Sequence, residues 1–265
     1  MNLAMAKKTA EIFDLQGKST GKITLPSVFS TPLRPDVIKR AVLAIQSNSR
    51  QKQGRDPMAG KKTTAESRGT GSATARVPRM KSGAGRAAFA PSTVKGRQPH
   101  PPKVEKRILR AIPKKEAKLA LISAIAATGQ KETVTSRGHK IGTVPQFPLV
   151  VEDAFESLTK ASEVEKAFTS FGMADDLTRV RDSRSVRAGK GKRRGRKMKQ
   201  AVGPLIVVVN GKSLINAAGN LPGVQITTVA NLNTEMLAPG THPGRLTVWT
   251  NGAIEKLTTL YGDQM

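Results

Sequence analysis

The chain has 265 residues, 37% of them hydrophobic, with 45 Lys and Arg against 19 Asp and Glu and a formal net charge of +26. It has no cysteine, which excludes disulfides and zinc fingers, and no apolar run long enough to span a bilayer. A domain this basic repels itself unless a polyanion neutralises it.

The start, Met1–Lys8, lacks the apolar stretch of a secretion signal, and Met5-Ala6-Lys7-Lys8 reads as the natural initiation point. Ala10–Leu15 and Gly21–Leu25 flank Gln16-Gly17-Lys18 as a strand hairpin. Pro35-Asp36 opens a helix to about Gln46, with Val37, Ile38, Ala41, Val42 and Ile45 on one face. The chain then enters a long basic excursion and returns at Lys103–Arg110. A second helix, Lys114–Thr128, buries Leu119, Ile122 and Ile125 and stops at Gly129. Short strands are expected at Thr133–Ser136 and Pro148–Val151, and a helix from Glu152 to about Phe171 buries Phe155, Leu158 and Phe168.

The last third is the clearest. Leu205–Val209 is continuously apolar, as in a strand covered on both faces. Asn210-Gly211-Lys212-Ser213 leads into a helix to about Ala218, followed by strands Val224–Val229 and Leu246–Thr250 and a helix to Tyr261 capped by Asn251. Alternating strands and helices imply an α/β fold: a mostly parallel sheet flanked by helices and interrupted by a long irregular basic loop. The globular domain takes residues 1–49 and 104–265, the loop 50–103, and a secondary basic segment 179–199.

The charge is concentrated. Residues 50–110 carry 16 basic and 3 acidic side chains, and residues 179–199 carry 11 and one, together +23 of the +26. The rest of the chain is near neutral. Residues 50–110 also hold seven glycines (54, 60, 69, 71, 83, 85, 96) and six prolines, with no apolar face at either period. Ordering some 60 residues costs roughly 60–120 kcal/mol of backbone entropy, which burial inside such a segment does not offset. The expectation is a loop mobile in the free protein that orders inside RNA. Phe89 is its one aromatic residue, and nine of its 16 cations are Arg. That composition favours guanidinium stacking and backbone recognition of folded RNA over base-by-base reading of single strands.

Enzyme motifs fail on inspection. Gly211-Lys212-Ser213 lacks the glycine five places earlier that a phosphate loop needs, the position being Ile206; Gly17-Lys18-Ser19 has Ile12 there. Gly69-Thr70-Gly71 and Gly189-Lys190-Gly191 carry Thr74 and Arg194 in place of the third glycine of a dinucleotide fingerprint. Gly17–Gly21 spells a nucleophile elbow, but on a strand hairpin rather than a strand-to-helix turn. The acid pairs Glu152-Asp153 and Asp175-Asp176 read as helix starts. His100, His139 and His242 are too scattered for a metal site. The reading is no catalytic residue, no metal, no cofactor, no small-molecule substrate and no membrane.

A series of ordered motifs is then specific. It runs Met58-Ala59-Gly60-Lys61, Thr64-Ala65-Glu66-Ser67, Gly69-Thr70-Gly71, Ala75-Arg76-Val77-Pro78-Arg79, Arg86-Ala87-Ala88-Phe89 and His100-Pro101-Pro102-Lys103-Val104-Glu105-Lys106. It continues with Ser123-Ala124-Ile125-Ala126-Ala127-Thr128, Phe147-Pro148-Leu149-Val150-Val151 and Leu221-Pro222-Gly223-Val224. The chain from about Met5 resembles the large-subunit ribosomal protein L-four family, in its archaeal branch. The resemblance implies a structural, non-enzymatic protein of the cytoplasmic ribosome that binds large-subunit rRNA and aids assembly. It implies a loop threading through that RNA, with its tip in the nascent-peptide exit tunnel opposite ribosomal protein L-twenty-two. Mapped here, the tip falls within Ser67–Arg86, with Ser67, Arg68, Gly69, Thr70, Gly71, Arg76 and Arg79 as tunnel lining. The rRNA-binding candidates in the loop are Arg50, Arg55, Lys61, Lys62, Arg68, Arg76, Arg79, Lys81, Arg86, Lys95, Arg97 and Lys103. In the second segment they are Arg184, Arg187, Lys190, Lys192, Arg193, Arg194, Arg196 and Lys197. Arg68 stands where the family pattern carries Trp, and Ser72 where it carries Arg. The alternative function is a stand-alone RNA-binding chaperone.

Overall fold

The computed structural model describes residues 8–82 and 85–261. The initiation reading at Met5 and one loop glycine, Gly83, lie outside the described residues.

The chain divides into two units, one running up to Ile45 and resuming at Ala111, the other Gln46–Arg110. The first is built on a six-stranded sheet. Its strands are β1 (Thr9–Phe13), β2 (Ser19–Thr24), β3 (Leu149–Val151), β6 (Leu205–Val208), β7 (Gln225–Thr228) and β8 (Thr247–Thr250), in the order β2-β1-β3-β8-β6-β7. Only the β1–β2 pair is antiparallel; β3, β8, β6 and β7 follow in parallel. A two-stranded hairpin, β4 (Ser185–Val186) with β5 (Met198–Lys199), forms a second sheet.

The run Leu-Ile-Val-Val of β6 is buried at every position because both faces of the sheet are covered. Ile206 and Val208 face a cluster with Phe155, Phe168 and Phe171 from the segments around α4 (Ala161–Ser170) and α5 (Ala174–Asp182). Leu205 and Val207 face the other side, with Ile38 of α1 (Pro35–Asn48), Ile122 and Ile125 of α2 (Lys114–Thr128) and Ile254 of α8 (Asn251–Tyr261). There Trp249 meets Phe29 edge-on, ring centroids 5.7 Å apart. The remaining helices are α3 (Lys131–Ser136), α6 (Lys212–Ala218) and α7 (Thr234–Leu237).

Several local expectations are corrected. Thr133–Ser136 is helical rather than extended. Its hydroxyls turn back onto backbone carbonyls, Thr133 to Ala127 and Gln130, Thr135 to Lys131 and Ser136 to Thr133, and Val134 is the one buried residue of α3. The single helix expected from Glu152 to Phe171 is a 3-10 turn at Asp153–Ser157, an extended break at Leu158, and then α4. Leu119 is 39% exposed, because the buried part of α2 is its small-residue C-terminal half, Ile122–Thr128. Asn251 does not cap α8; its Nδ2 donates to Glu255, and the helix's Gly252 amide is capped at 2.8 Å by the Asp153 carboxylate.

The second unit holds no helix or strand between Asn48 and Arg110, and within it only Gly85 is buried among the described residues. Glu66 and Arg79 exchange both backbone hydrogen bonds at 3.0 and 2.9 Å, Met80 N–H donates to Arg86, and Ala88 N–H to Pro78. Three short passes of chain are thereby tied together without an interior. Its ends are joined by Ser47 Oγ donating to the Ile108 carbonyl at 2.9 Å and by Asn48 bonding the Arg110 backbone on both sides.

Candidate nucleic-acid interface

Of the twelve loop cations, Arg79 and Arg97 are half-buried and the other ten are exposed. Only Lys62 (to Asp56, 3.8 Å) and Lys81 (to Glu66, 3.0 Å) have a carboxylate partner among the described residues. Arg79 is the most constrained: its Nη1 donates to the Gly85 carbonyl at 3.0 Å, and its backbone carries the Glu66 pairing. Arg97 lies over the Phe89 ring, 5.6 Å from its centroid, and Arg55 donates to Gln98. Arg68 rests against Gly85, where an added Cβ would sit 3.0 Å from its Nη2.

The tip between Ser67 and Arg76 is exposed throughout. Ser67 Oγ donates to the Arg76 carbonyl at 3.2 Å and accepts from Gly69 N–H at 3.3 Å. Gly69 and Gly71 adopt φ of +74° and +86° with nothing within 4 Å of a Cβ position, so backbone conformation, not crowding, requires glycine there.

The second basic segment contains an element that the sequence pattern did not announce. β4 and β5 pair Val186 with Met198, and a 3-10 turn at Lys190–Arg194 joins them. Arg187 N–H donates to the Lys197 carbonyl at 2.8 Å and its Nε to the Arg196 carbonyl at 3.1 Å. All eight cations named in this segment are exposed, and none has a carboxylate partner among the described residues. The hairpin's foot is tied to α5, with Ser183 Oγ accepting from Ala201 N–H at 2.8 Å and Arg179 donating to the Val202 carbonyl at 3.0 Å. The cationic turn therefore stands on the α/β unit, its named cations without a carboxylate partner among the described residues.

Two buried polar assemblies hold that unit together. Arg245, 1% exposed, donates to the carbonyls of Gly203, Pro204, Gly223 and Met236 and to Gln225 Oε1, tying the N-terminal ends of β6, β7 and β8. Burial, and then the charge of Arg137, push its guanidinium down to about 9. Asp176, fully buried, lies 3.1 Å from His139 Nδ1 and accepts from Lys140 N–H and from Arg179 Nε, each at 2.9 Å. Burial alone would raise the Asp176 carboxyl, but these hydrogen bonds outweigh it and hold the group below the usual carboxylate range. A carboxyl lowered by folding stabilises the fold above its unfolded pKa of about 3.9, and that stability drains away as pH falls through the folded value. Asp176→Asn is therefore expected to cost about 3–5 kcal/mol near neutrality, the scale for removing one partner of a buried pair, and to flatten the acid limb. Urea unfolding across pH measures both; an unchanged midpoint would remove Asp176 from the account.

The C-terminal ends of the parallel strands, where α/β enzymes bind ligands, are filled by the protein's own carboxylates. Glu156 accepts from the Val209 and Asn210 amides at 2.8 and 3.0 Å and from Thr250 Oγ1 at 2.8 Å, while Asp153 takes Gly252. The amides beside Gly211-Lys212-Ser213 thus meet an internal anion rather than a phosphate. Asp153 and Glu156 are structural, as are Asp176 and His139. Among the described residues no three metal-ligating side chains come together, and no helix is long and apolar enough to cross a membrane.

An α/β scaffold whose strand ends are closed by its own acids carries two exposed basic segments, the charge pattern of a polyanion-binding protein. Residues 23–260 match the Ribosomal protein L4/L1 family. Three archaeal relatives named "Large ribosomal subunit protein uL4" align over nearly the whole chain. That of Methanosphaera stadtmanae is 47% identical over 94% of this chain and 96% of its own length. That of Methanococcoides burtonii is 48% identical over 96% and 99%, and that of Saccharolobus islandicus 46% identical over 97% and 96%. The chain belongs to the Ribosomal protein L4/L1 family. It is a ribosomal protein, not an enzyme, and is cytoplasmic as part of the ribosome.

Proposed function

We propose that the chain is a structural constituent of the large ribosomal subunit, that it binds large-subunit rRNA through two basic surfaces, and that it aids subunit assembly. Residues 1–49 and 104–265 act as the globular anchor, residues 50–103 as an inserted loop that takes its place between RNA helices, and residues 179–199 as a second RNA contact. The tip, exposed Ser67–Gly71 and Arg76 with half-buried Arg79, helps line the nascent-peptide exit tunnel, opposite ribosomal protein L-twenty-two and against the nascent peptide. The observation that carries the reading is that 18 of the 20 named cations are exposed, on segments that bury almost nothing of their own. Phosphates supply the counter-charge, and displaced counterions supply much of the free energy. The competing reading, a stand-alone RNA chaperone, makes the same contacts without a fixed place. Co-sedimentation with large subunits after a high-salt wash separates the two. The embedded chain stays with the particle; release in parallel with loosely held RNA-binding proteins would favour the chaperone.

A further inference from the structure

Within the Gln46–Arg110 unit the chain encloses a cleft of about 430 Å³ that the motifs do not explain. Its lining combines apolar Met80, Ala87, Ala88, Phe89 and Val94 with cationic Lys62, Arg86 and Lys95. We propose that this cleft receives one unstacked nucleobase of the RNA, held against Phe89, with the flanking phosphates taken by Lys62, Arg86 and Lys95. The inference rests on the RNA-binding reading above and assigns a particular subsite to it.

Three features favour a base as occupant. The volume lies within the roughly 300–1,000 Å³ of small-ligand sites, so a single ring system and its sugar fit. A lining of apolar and cationic side chains matches a flat aromatic ring joined to an anionic backbone, and an RNA strand supplies that combination at every nucleotide. The third feature is backbone strain. Phe89 and Lys95 both adopt left-handed φ, +66° and +58°, conformations that L side chains rarely take. Each sits in the lining, so the strain accompanies one aromatic and one cationic side chain of the same cleft. Arg97 lies over the Phe89 ring yet is not part of the lining, so the ring is braced by a guanidinium while still meeting the open space. Two threonine hydroxyls, Thr63 and Thr64, complete the wall and can bond the base edge or the ribose.

The test uses the full chain and two single-stranded RNA oligonucleotides. One carries 2-aminopurine at a central position; the other has an abasic ribose there. Binding is followed by fluorescence across a salt series. The wild-type chain is expected to quench 2-aminopurine and to prefer the base-bearing strand about ten-fold, the scale of one base–aromatic stack. Phe89→Ala removes the preference and the quenching while leaving the salt slope unchanged. Phe89→Leu, which keeps the apolar volume, behaves like Phe89→Ala and guards against a folding artefact. Lys95→Gln lowers affinity for both strands equally and makes the salt slope shallower by about one. Equal wild-type affinity for both strands overturns the base subsite, leaves RNA binding intact, and turns attention to an apolar peptide side chain as occupant. Failure of both strands to bind at low salt would overturn the RNA-binding reading itself.

Discussion

A chain lacking Lys62–Ala90 is expected to fold, to attach to early assembly particles, and to yield defective large subunits. Among the described residues of that segment only Gly85 is buried. All three hydrophobic clusters lie wholly outside it. The excision leaves the Ser47–Ile108 and Asn48–Arg110 hydrogen bonds that close the base of the loop. Its cut ends lie close together, because Gly60 packs against Gly96 and Arg97 so tightly that a Cβ there would come within 2.6 Å of both. A short linker spans the gap. The segment carries six cations and one acid, Glu66, so the net loss is +5, and the hairpin cations at 184–197 remain for the first encounter with RNA. Urea unfolding should give a midpoint within experimental error of the intact chain. Gradient sedimentation of particles built with the truncated chain should show precursors accumulating at the expense of mature subunits. A normal yield of active subunits would sink the assembly role of the loop, and an unfolded truncated chain would sink the division of labour between the two units.

What the sequence disclosed follows from how each element is stabilised. β6, β8 and α8 were readable because their energy comes from burying contiguous or periodic apolar side chains, and a run such as Leu205–Val208 has no other stable use. The β4–β5 hairpin was not readable, because it rests on backbone pairing and on Arg187 bonding carbonyls, with only Val186 and Met198 in apolar register. Arg245 looks like any surface cation until folding brings five acceptors from three separate segments around it. Asp176 and His139 are 37 residues apart, and no local pattern announces their meeting. Asp153 was read as an acid at a helix start and Glu156 was not singled out, and their targets, the amides at Gly252, Val209 and Asn210, lie 53 to 99 residues further on. The candidate interface was legible as composition: cations, glycines and prolines without periodicity. The internal fastening of the loop through Glu66, Arg79 and Arg86, and the cleft it forms, depend on tertiary hydrogen bonds that composition does not encode.

The affinity of the intact chain for large-subunit RNA is expected to fall with salt on a logarithmic slope of roughly −7 to −9, as for about ten neutralised phosphates. Between about 50 and 200 mM salt that is a loss of roughly 10⁴- to 10⁵-fold. The number of phosphates is smaller than the 20 candidate cations for physical reasons. Lys62 and Lys81 must first surrender Asp56 and Glu66, and Arg79 and Arg97 are held by Gly85 and Phe89. The hairpin cations carry no such encumbrance and should count almost fully. Replacing Arg193, Arg194, Arg196 and Lys197 together by Gln is therefore expected to make the slope shallower by about 3–4. The melting temperature should hold, since all four side chains are exposed and none is ion-paired among the described residues. A Lys62→Gln and Lys81→Gln pair should change the slope by less than one, below the roughly 1.4–1.8 of two unpaired cations, since each already has an internal carboxylate. Equal effects per cation in the two sets would mean that internal pairing does not decide which cations meet phosphate, and an unchanged slope in the hairpin variant would leave that turn in solvent and confine RNA binding to the loop.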